Sequence, residues 1–310
     1  MSSSHLDART AHDIDARVEK ILSDLGDPPP PLQLDDVREL LRLDRAYYSS
    51  SDDGILRETV HRLKLAGKQV IRQPHRLLDV VKKMDLKALW VPERKQILLD
   101  SELPAAKQRW AEGHEIGHGI VPWHQVVMHG DQARTLSPGC AWRIEEEANY
   151  AAGRLLFLRG DFRERLRAGA FDISSIRYLS KLYGNSITST LWRAVEEAAF
   201  PAFALVSKHP RGSDKEKPIR HFVRSRGFAE RFPGVTAMCV FETAAGYCRN
   251  GKGPLGEREF ALDAADLSSH EFHVETFHNG YEALTLGAHV SERTRLVVPF
   301  SGSGSVARAR

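Results

Sequence analysis

A chain of 310 residues with 42% hydrophobic residues can bury a sizeable core in one or two domains. Its 44 Lys+Arg nearly balance 41 Asp+Glu, for a formal charge of +3, which permits contact with nucleic acid without requiring it. No stretch is long and apolar enough to span a bilayer, and Met1-Ser2-Ser3-Ser4-His5 lacks the basic and apolar regions of a secretory signal. Cys140, Cys239 and Cys248 lie too far apart for a disulfide framework or paired zinc hooks, so a cytoplasmic protein with reduced thiols is expected.

Ile14, Val18, Ile21, Leu22 and Leu25 recur at helical spacing, predicting an amphipathic helix over 8–25 that Gly26 and Pro28–Pro31 stop. Asp35 is placed to cap a second helix through Leu41. Further helices are expected from Ile55 to Leu65 and from Pro74 to Met84. The period then changes. Ala88–Val91 and Gln96–Asp100 read as short strands, with Pro92–Lys95 as the turn between them. A helix from Pro104 to Gly119 follows directly and would pack against that sheet. The basic residues of the N-terminal third read as solvated helix faces.

Within that helix stands His114-Glu115-Ile116-Gly117-His118. Two histidines at i and i+4 share one helical face, so their ring nitrogens can meet a single tetrahedral zinc ion. Glu115 is then placed beside the ion, where a carboxylate can take a proton from water. Such a site needs a third ligand. A new helix opens at Ile144-Glu145-Glu146-Glu147-Ala148-Asn149 and runs on through Leu158. Glu145 is the expected third ligand. Asn149, four residues on, shares its face and could orient a liganding histidine. Ala148, Ala151 and Ala152 would let the two helices approach closely. Glu146 and Glu147 stay open as alternatives, because sequence does not fix helix phase to one residue. His124 and His129 read as loop histidines or substrate contacts.

These two stretches, Gln108–His118 and Glu145–Leu156, resemble the ImmA/IrrE metallopeptidase family. The resemblance covers roughly residues 10–200, its specific part 97–158, and is carried by HExxH paired with a Glu-x-x-x-Asn helix. It implies a mainly helical zincin-like domain, with His114, His118 and Glu145 as metal ligands and Glu115 as the general base. One departure is that Phe157-Leu158-Arg159-Gly160 stands where a proline often follows the leucines. Known members cleave a DNA-bound repressor, releasing genes for mobile elements or for the response to radiation and DNA damage. The resemblance therefore implies a protein substrate of that kind, possessing a helix-turn-helix.

Beyond the motif, helices are expected from Asp161 to Leu166, from Ser174 or Ser175 to Leu182, and from Ile187 to Phe200. The last two, joined at Gly184-Asn185, read as packing rather than as a DNA-reading pair, since Ser186–Thr190 offers little charge for phosphate contacts. Tyr178 and His209 read as structural rather than as stabilisers of an oxyanion. Residues 208–231 hold eight Lys/Arg against Asp214, Glu216 and Glu230. This is a docking patch for nucleic acid or an acidic protein, or a solvated linker. Strands are expected at 237–241, 259–262, 272–277, 283–289 and 295–300, punctuated by glycines.

The expected fold is thus α+β: a mainly helical metallopeptidase domain with a small sheet over 1–207 and a basic linker over 208–218. A β-rich accessory domain over 219–300 and a disordered tail over 301–310 complete it. The expected activity is zinc-dependent endopeptidase; a zinc-containing regulator that binds a repressor or DNA without cleaving is the alternative.

Overall fold

The computed structural model describes residues 6–48, 88–91, 95–124, 138–213 and 216–290. The helices expected over 55–65 and 74–84, the turn residues 92–94, His129, the strand over 295–300 and the tail lie outside the described residues. The chain divides into two compact units: Ser4–Phe162 with Leu179–Ser186, and Arg163–Tyr178 with Ile187–Arg310.

In the first unit, helix α1 (Ala8–Asp24) buries Ile14, Val18, Ile21 and Leu22, as their spacing predicts. Asp7 caps it, its carboxylate accepting from the backbone N–H of Arg9 and Thr10. Helix α2 (Leu34–Leu41) starts one residue before Asp35, which does not cap it. Instead Asp35 pairs with Arg38 and Arg45. Those two arginines also pair with Glu112, which is only 5% exposed. A charge buried that deeply is tolerable only when paired, and this pairing ties α2 and strand β1 (Asp44–Tyr48) to the helix that carries the histidines.

Strands β2 (Ala88–Val91) and β3 (Gln96–Asp100) pair antiparallel, as expected. β1, which the sequence pattern does not announce, lies parallel on the other side of β3. The central strand therefore buries Ile97, Leu98 and Leu99. Helix α3 (Ala105–Ile120) packs on this sheet and on helix α4 (Pro138–Leu156). α4 fully buries Ala148, Ala151, Ala152, Leu155 and Leu156, each leucine contributing about 2 kcal/mol of transfer free energy. The small residues permit a backbone-close crossing. A Cβ on Gly117 would lie 2.6 Å from the carbonyl oxygen of Ala148. α1 is fixed to α4 by a two-bond contact, Arg154 donating to both oxygens of Asp15. Phe157 to Arg159, where the family's proline is missing, end α4 with Leu158 and Arg159 in the left-handed region. Asn185 Nδ2 donates to the Leu156 carbonyl there.

Helices α5 (Gly160–Ala168) and α6 (Ile173–Tyr183) follow. Asp172, not Ser174 or Ser175, caps α6 by accepting from the Ser175 N–H. Helix α7 (Ile187–Glu197) packs on strands β4 (Ala202–Ser207) and β5 (Ile219–Arg224) of the second unit. It buries Leu191, Ala194 and Val195 there.

The second unit holds a five-stranded antiparallel sheet of order β5-β4-β8-β7-β6, with β6 (Gly253–Asp263), β7 (Ser269–His278) and β8 (Ala283–His289). Residues 208–218, expected as a linker, connect two adjacent strands of this sheet; the Lys208 N–H donates to the Pro218 carbonyl across the hairpin. Phe203, Phe228, Phe232 and Phe272 form the core with helices α8 (Arg226–Arg231) and α9 (Ala237–Tyr247). The strand expected at 237–241 is a correction: these residues open α9. Thr236 accepts from the Cys239 N–H, and Val240, Phe241 and Ala244 face the core at helical spacing. A short apolar run does not distinguish the two periods, and the cap decides for helix. The fold is α+β.

Candidate metal centre

The i, i+4 spacing on α3 stacks His114 and His118 with their Nε2 atoms 3.2 Å apart. The close α3–α4 crossing at Gly117 brings Glu145 within reach. Its Oε2 lies 3.1 Å from His114 Nε2 and its Oε1 3.6 Å from His118 Nε2. Two atoms each bound to one tetrahedral zinc ion at 2.0–2.1 Å lie about 3.3 Å apart. The three donor atoms therefore have the mutual spacing of one ion's coordination shell, and all lie within 4.8 Å of one another. Among the described residues this is the one group of three or more His, Cys, Asp or Glu with such spacing. His2Glu donors leave a fourth position free for water or substrate. His118 is 4% exposed and the Glu145 side chain 59%, so the cluster opens on the Glu145 side.

Each histidine makes a further contact through Nδ1. His114 Nδ1 lies 3.0 Å from Asn149 Oδ1, the partner expected one turn beyond Glu145. His118 Nδ1 lies 3.1 Å from His124 Nδ1, and His124 Nε2 is 2.9 Å from Glu147 Oε2. Trp123 Nε1 donates to the same carboxylate oxygen at 2.5 Å.

His124 is thus not a loop or substrate-contacting histidine. It lies in the helical stretch 122–124 and is wholly buried. Glu147, open as an alternative ligand, faces His124 instead. Two residues along a helix turn a side chain about 200° away from Glu145. Glu146 makes no contact with the two histidines in the described set, and burial raises its pKa. Glu115 is buried on α3 and its charge acts on His114. Tyr178 and His209 belong to the second unit; His209 Nε2 donates to the Gly251 carbonyl.

The electrostatics follow the packing. Burial and the neighbouring His114 lower the His118 pKa to about 3, so the ring is neutral and its lone pair is available to a metal. Burial also opposes charge on His114, but Glu145, Glu115 and Asn149 outweigh it and raise the pKa. The hydrogen bond from His114 lowers that of Glu145. Burial lowers that of His124 despite Glu147.

Residues 73–194 match the family model Peptidase_M78, the IrrE N-terminal-like domain. The match contains His114, Glu115, His118 and Glu145. No curated protein matches the chain. Among solved structures, a Mycobacterium tuberculosis transcriptional regulator is similar with a TM-score of 0.56, over 93% of this chain and 80% of that one. At 14% identity this likeness is one of fold. The matched stretch, residues 73–194, is thus similar to an IrrE N-terminal-like domain, in line with the ImmA/IrrE resemblance of the two motif helices.

Proposed function

We propose that the chain is a zinc-dependent endopeptidase acting on a protein substrate, namely a DNA-binding transcriptional repressor with a helix-turn-helix. The observation that carries this is the convergence of His114, His118 and Glu145 with a buried Glu115 on the same helix. Zinc, when bound, supplies Lewis acidity that acidifies a water and polarises a carbonyl. Glu115 accepts the proton from the attacking water and returns it to the leaving amine. Asn149 holds the His114 ring in place through Nδ1. The unit carrying the five-stranded sheet serves as an accessory part, and the basic residues of 208–231 as a docking surface for the substrate or its DNA. The fold-level neighbour, titled a transcriptional regulator, is consistent with a regulatory setting. It equally favours a second reading, a zinc-containing regulator that binds a repressor or DNA without cleaving it.

The test replaces Glu115 with Gln, which preserves size and removes the base. Wild type and Glu115→Gln are compared at matched zinc content on a co-expressed repressor. The expected loss is at least about a hundredfold in cleavage rate. Equal cleavage by both proteins overturns the mechanism. Release of the repressor from DNA by the variant without cleavage supports the second reading.

A further inference from the structure

Behind His118 lies a chain of buried groups that the peptidase chemistry does not use: His118 Nδ1, His124 Nδ1 and Nε2, and Glu147 Oε2, at successive distances of 3.1 and 2.9 Å. An indole N–H can only donate, so the contact from Trp123 Nε1 fixes Glu147 Oε2 as an acceptor. A carboxylate has no proton to give, so the same oxygen also accepts from His124 Nε2–H. A neutral His124 protonated at Nε2 has a bare Nδ1, which can only accept. Its neighbour, His118 Nδ1, must then carry a proton and donate it. The remaining nitrogen of His118, Nε2, is left bare, and it is the one that faces His114 Nε2 and Glu145. The direction of every hydrogen bond is thus set by the carboxylate at the end of the row.

We infer that His124 and Glu147 are positioning residues: through their hydrogen bonds they hold His118 in the tautomer that presents a bare Nε2 to the metal position. This rests on the metal-site reading above and assigns residues that reading leaves out. The two histidine ligands are served differently. His114 donates to a neutral amide, Asn149, on the exposed side of the cluster. His118 donates to an imidazole backed by a carboxylate, and His124 and Glu147 are 0% and 4% exposed. In so buried a row, reversing one bond would set two donors or two bare nitrogens against each other, which is costly.

The experiment has two arms. In the first, metal-free protein labelled with nitrogen-15 in histidine is examined by two-bond proton–nitrogen correlation spectra, which tell the two neutral tautomers apart. His118 is expected protonated at Nδ1 and His124 at Nε2. His118 found protonated at Nε2 overturns the inference, whether or not the protein proves to be a peptidase. The second arm uses His124→Asn and His124→Leu, side chains of similar size. Only the asparagine keeps an acceptor where Nδ1 stood. Zinc affinity is measured by competition with a chelating dye, and folding by thermal melting. His124→Leu is expected to bind zinc about 10–100-fold more weakly, while His124→Asn stays within about threefold of wild type. Equal affinities in the two variants overturn the inference. If His124→Leu does not fold, the wild-type spectra alone decide. Failure of the wild type to bind zinc sinks the metal-site reading and leaves the tautomer result standing as its own test.

Discussion

The two compact units bury different kinds of polar group. In the first, Asp100, Glu112, Glu115, His118, His124, Glu147 and Arg154 are all nearly inaccessible. In the second, the interior polar positions are mostly hydroxyls: Thr190, Ser207, Ser225, Thr276 and Thr285. Its one deeply buried cation among the described residues, Arg193, pairs with Glu196 and Glu197 on its own helix. Buried charge is costly unless paired, and replacing it by apolar packing is often neutral or better. The first unit therefore retains an expensive interior that packing alone does not require. The sheet unit does what packing requires, filling its core with phenylalanines and giving its hydroxyls short local partners such as Thr276 Oγ1 to Thr285 Oγ1 at 2.9 Å. The candidate metal centre lies where the interior is charged.

The sharpest way to break this contrast is to remove one ligand. Glu145→Ala leaves two histidines and no carboxylate at the cluster. Purified wild type is expected to hold about one zinc per chain, from the three-ligand set, and the variant to lose it on dialysis. The sheet unit should be untouched, so its proteolytic fragment pattern should not change. Full zinc retention by the variant would remove Glu145 from the ligand set and reopen the choice among the three glutamates.

A matched pair of glycine substitutions comes next. Gly117→Ala puts a methyl 2.6 Å from a backbone carbonyl of α4, and only a shift of one helix against the other relieves it. Gly287→Ala puts one 2.1 Å from the Phe203 ring, across the β4–β8 pair. Overpacking of this kind costs about 1–3 kcal/mol, so both variants should melt earlier. Only Gly117→Ala should also weaken zinc binding, because only there does the relief move Glu145 away from the histidines. Normal zinc affinity in Gly117→Ala would show that the helix crossing does not set the ligand spacing.

What could be seen in the sequence follows from range. The histidine pair and the glutamate helix were legible because each is a local, periodic signal, and Asn149 because it sits one turn from Glu145. The choice among Glu145, Glu146 and Glu147 was not, since it depends on how α4 is rotated against α3. β1 was missed because Asp44-Arg45-Ala46-Tyr47-Tyr48 shows no apolar alternation and its parallel partner is distant in the chain. β4 was missed for the opposite reason. Ala202–Ser207 is buried throughout, so it has no alternation to show. The burial of His124 has no local signal at all; it is produced by Glu147 and Trp123 arriving from another helix and from the preceding residue.

The smallest expected effect, and the most general, is in pH. In metal-free protein the first unit should weaken more on the acid side and the second more on the alkaline side. Burial lowers the pKa values of His221 and His278, which gives the second unit a smaller acid sensitivity of its own. His118 has its folded pKa lowered from 6.5 to about 3 by burial and His114. Between those values the unfolded chain binds the proton that the folded one refuses, so stability is present above 6.5 and is lost as pH falls through this window. The lowered pKa values of His124 and Glu145 act in the same direction. His114, whose pKa is raised, opposes them: its contribution is full below 6.5 and lost as pH rises through its folded value. In the second unit burial raises the pKa of Tyr247 above 10, with Thr276 working against it. There the unfolded chain releases a proton that the folded chain keeps, so stability falls as pH rises past 10. Of the five tryptophans only Trp192 lies in the second unit. Denaturant titrations of wild type and Trp192→Phe, followed by fluorescence, therefore separate the two units. At about pH 4.5, between the ordinary pKa values of carboxylates and histidine, the midpoint of Trp192→Phe should drop relative to neutral pH. At about pH 10.5, above the ordinary pKa of tyrosine, the transition present only with Trp192 should drop instead. If both transitions fall together at both extremes, the two interiors are not electrostatically distinct and the contrast fails.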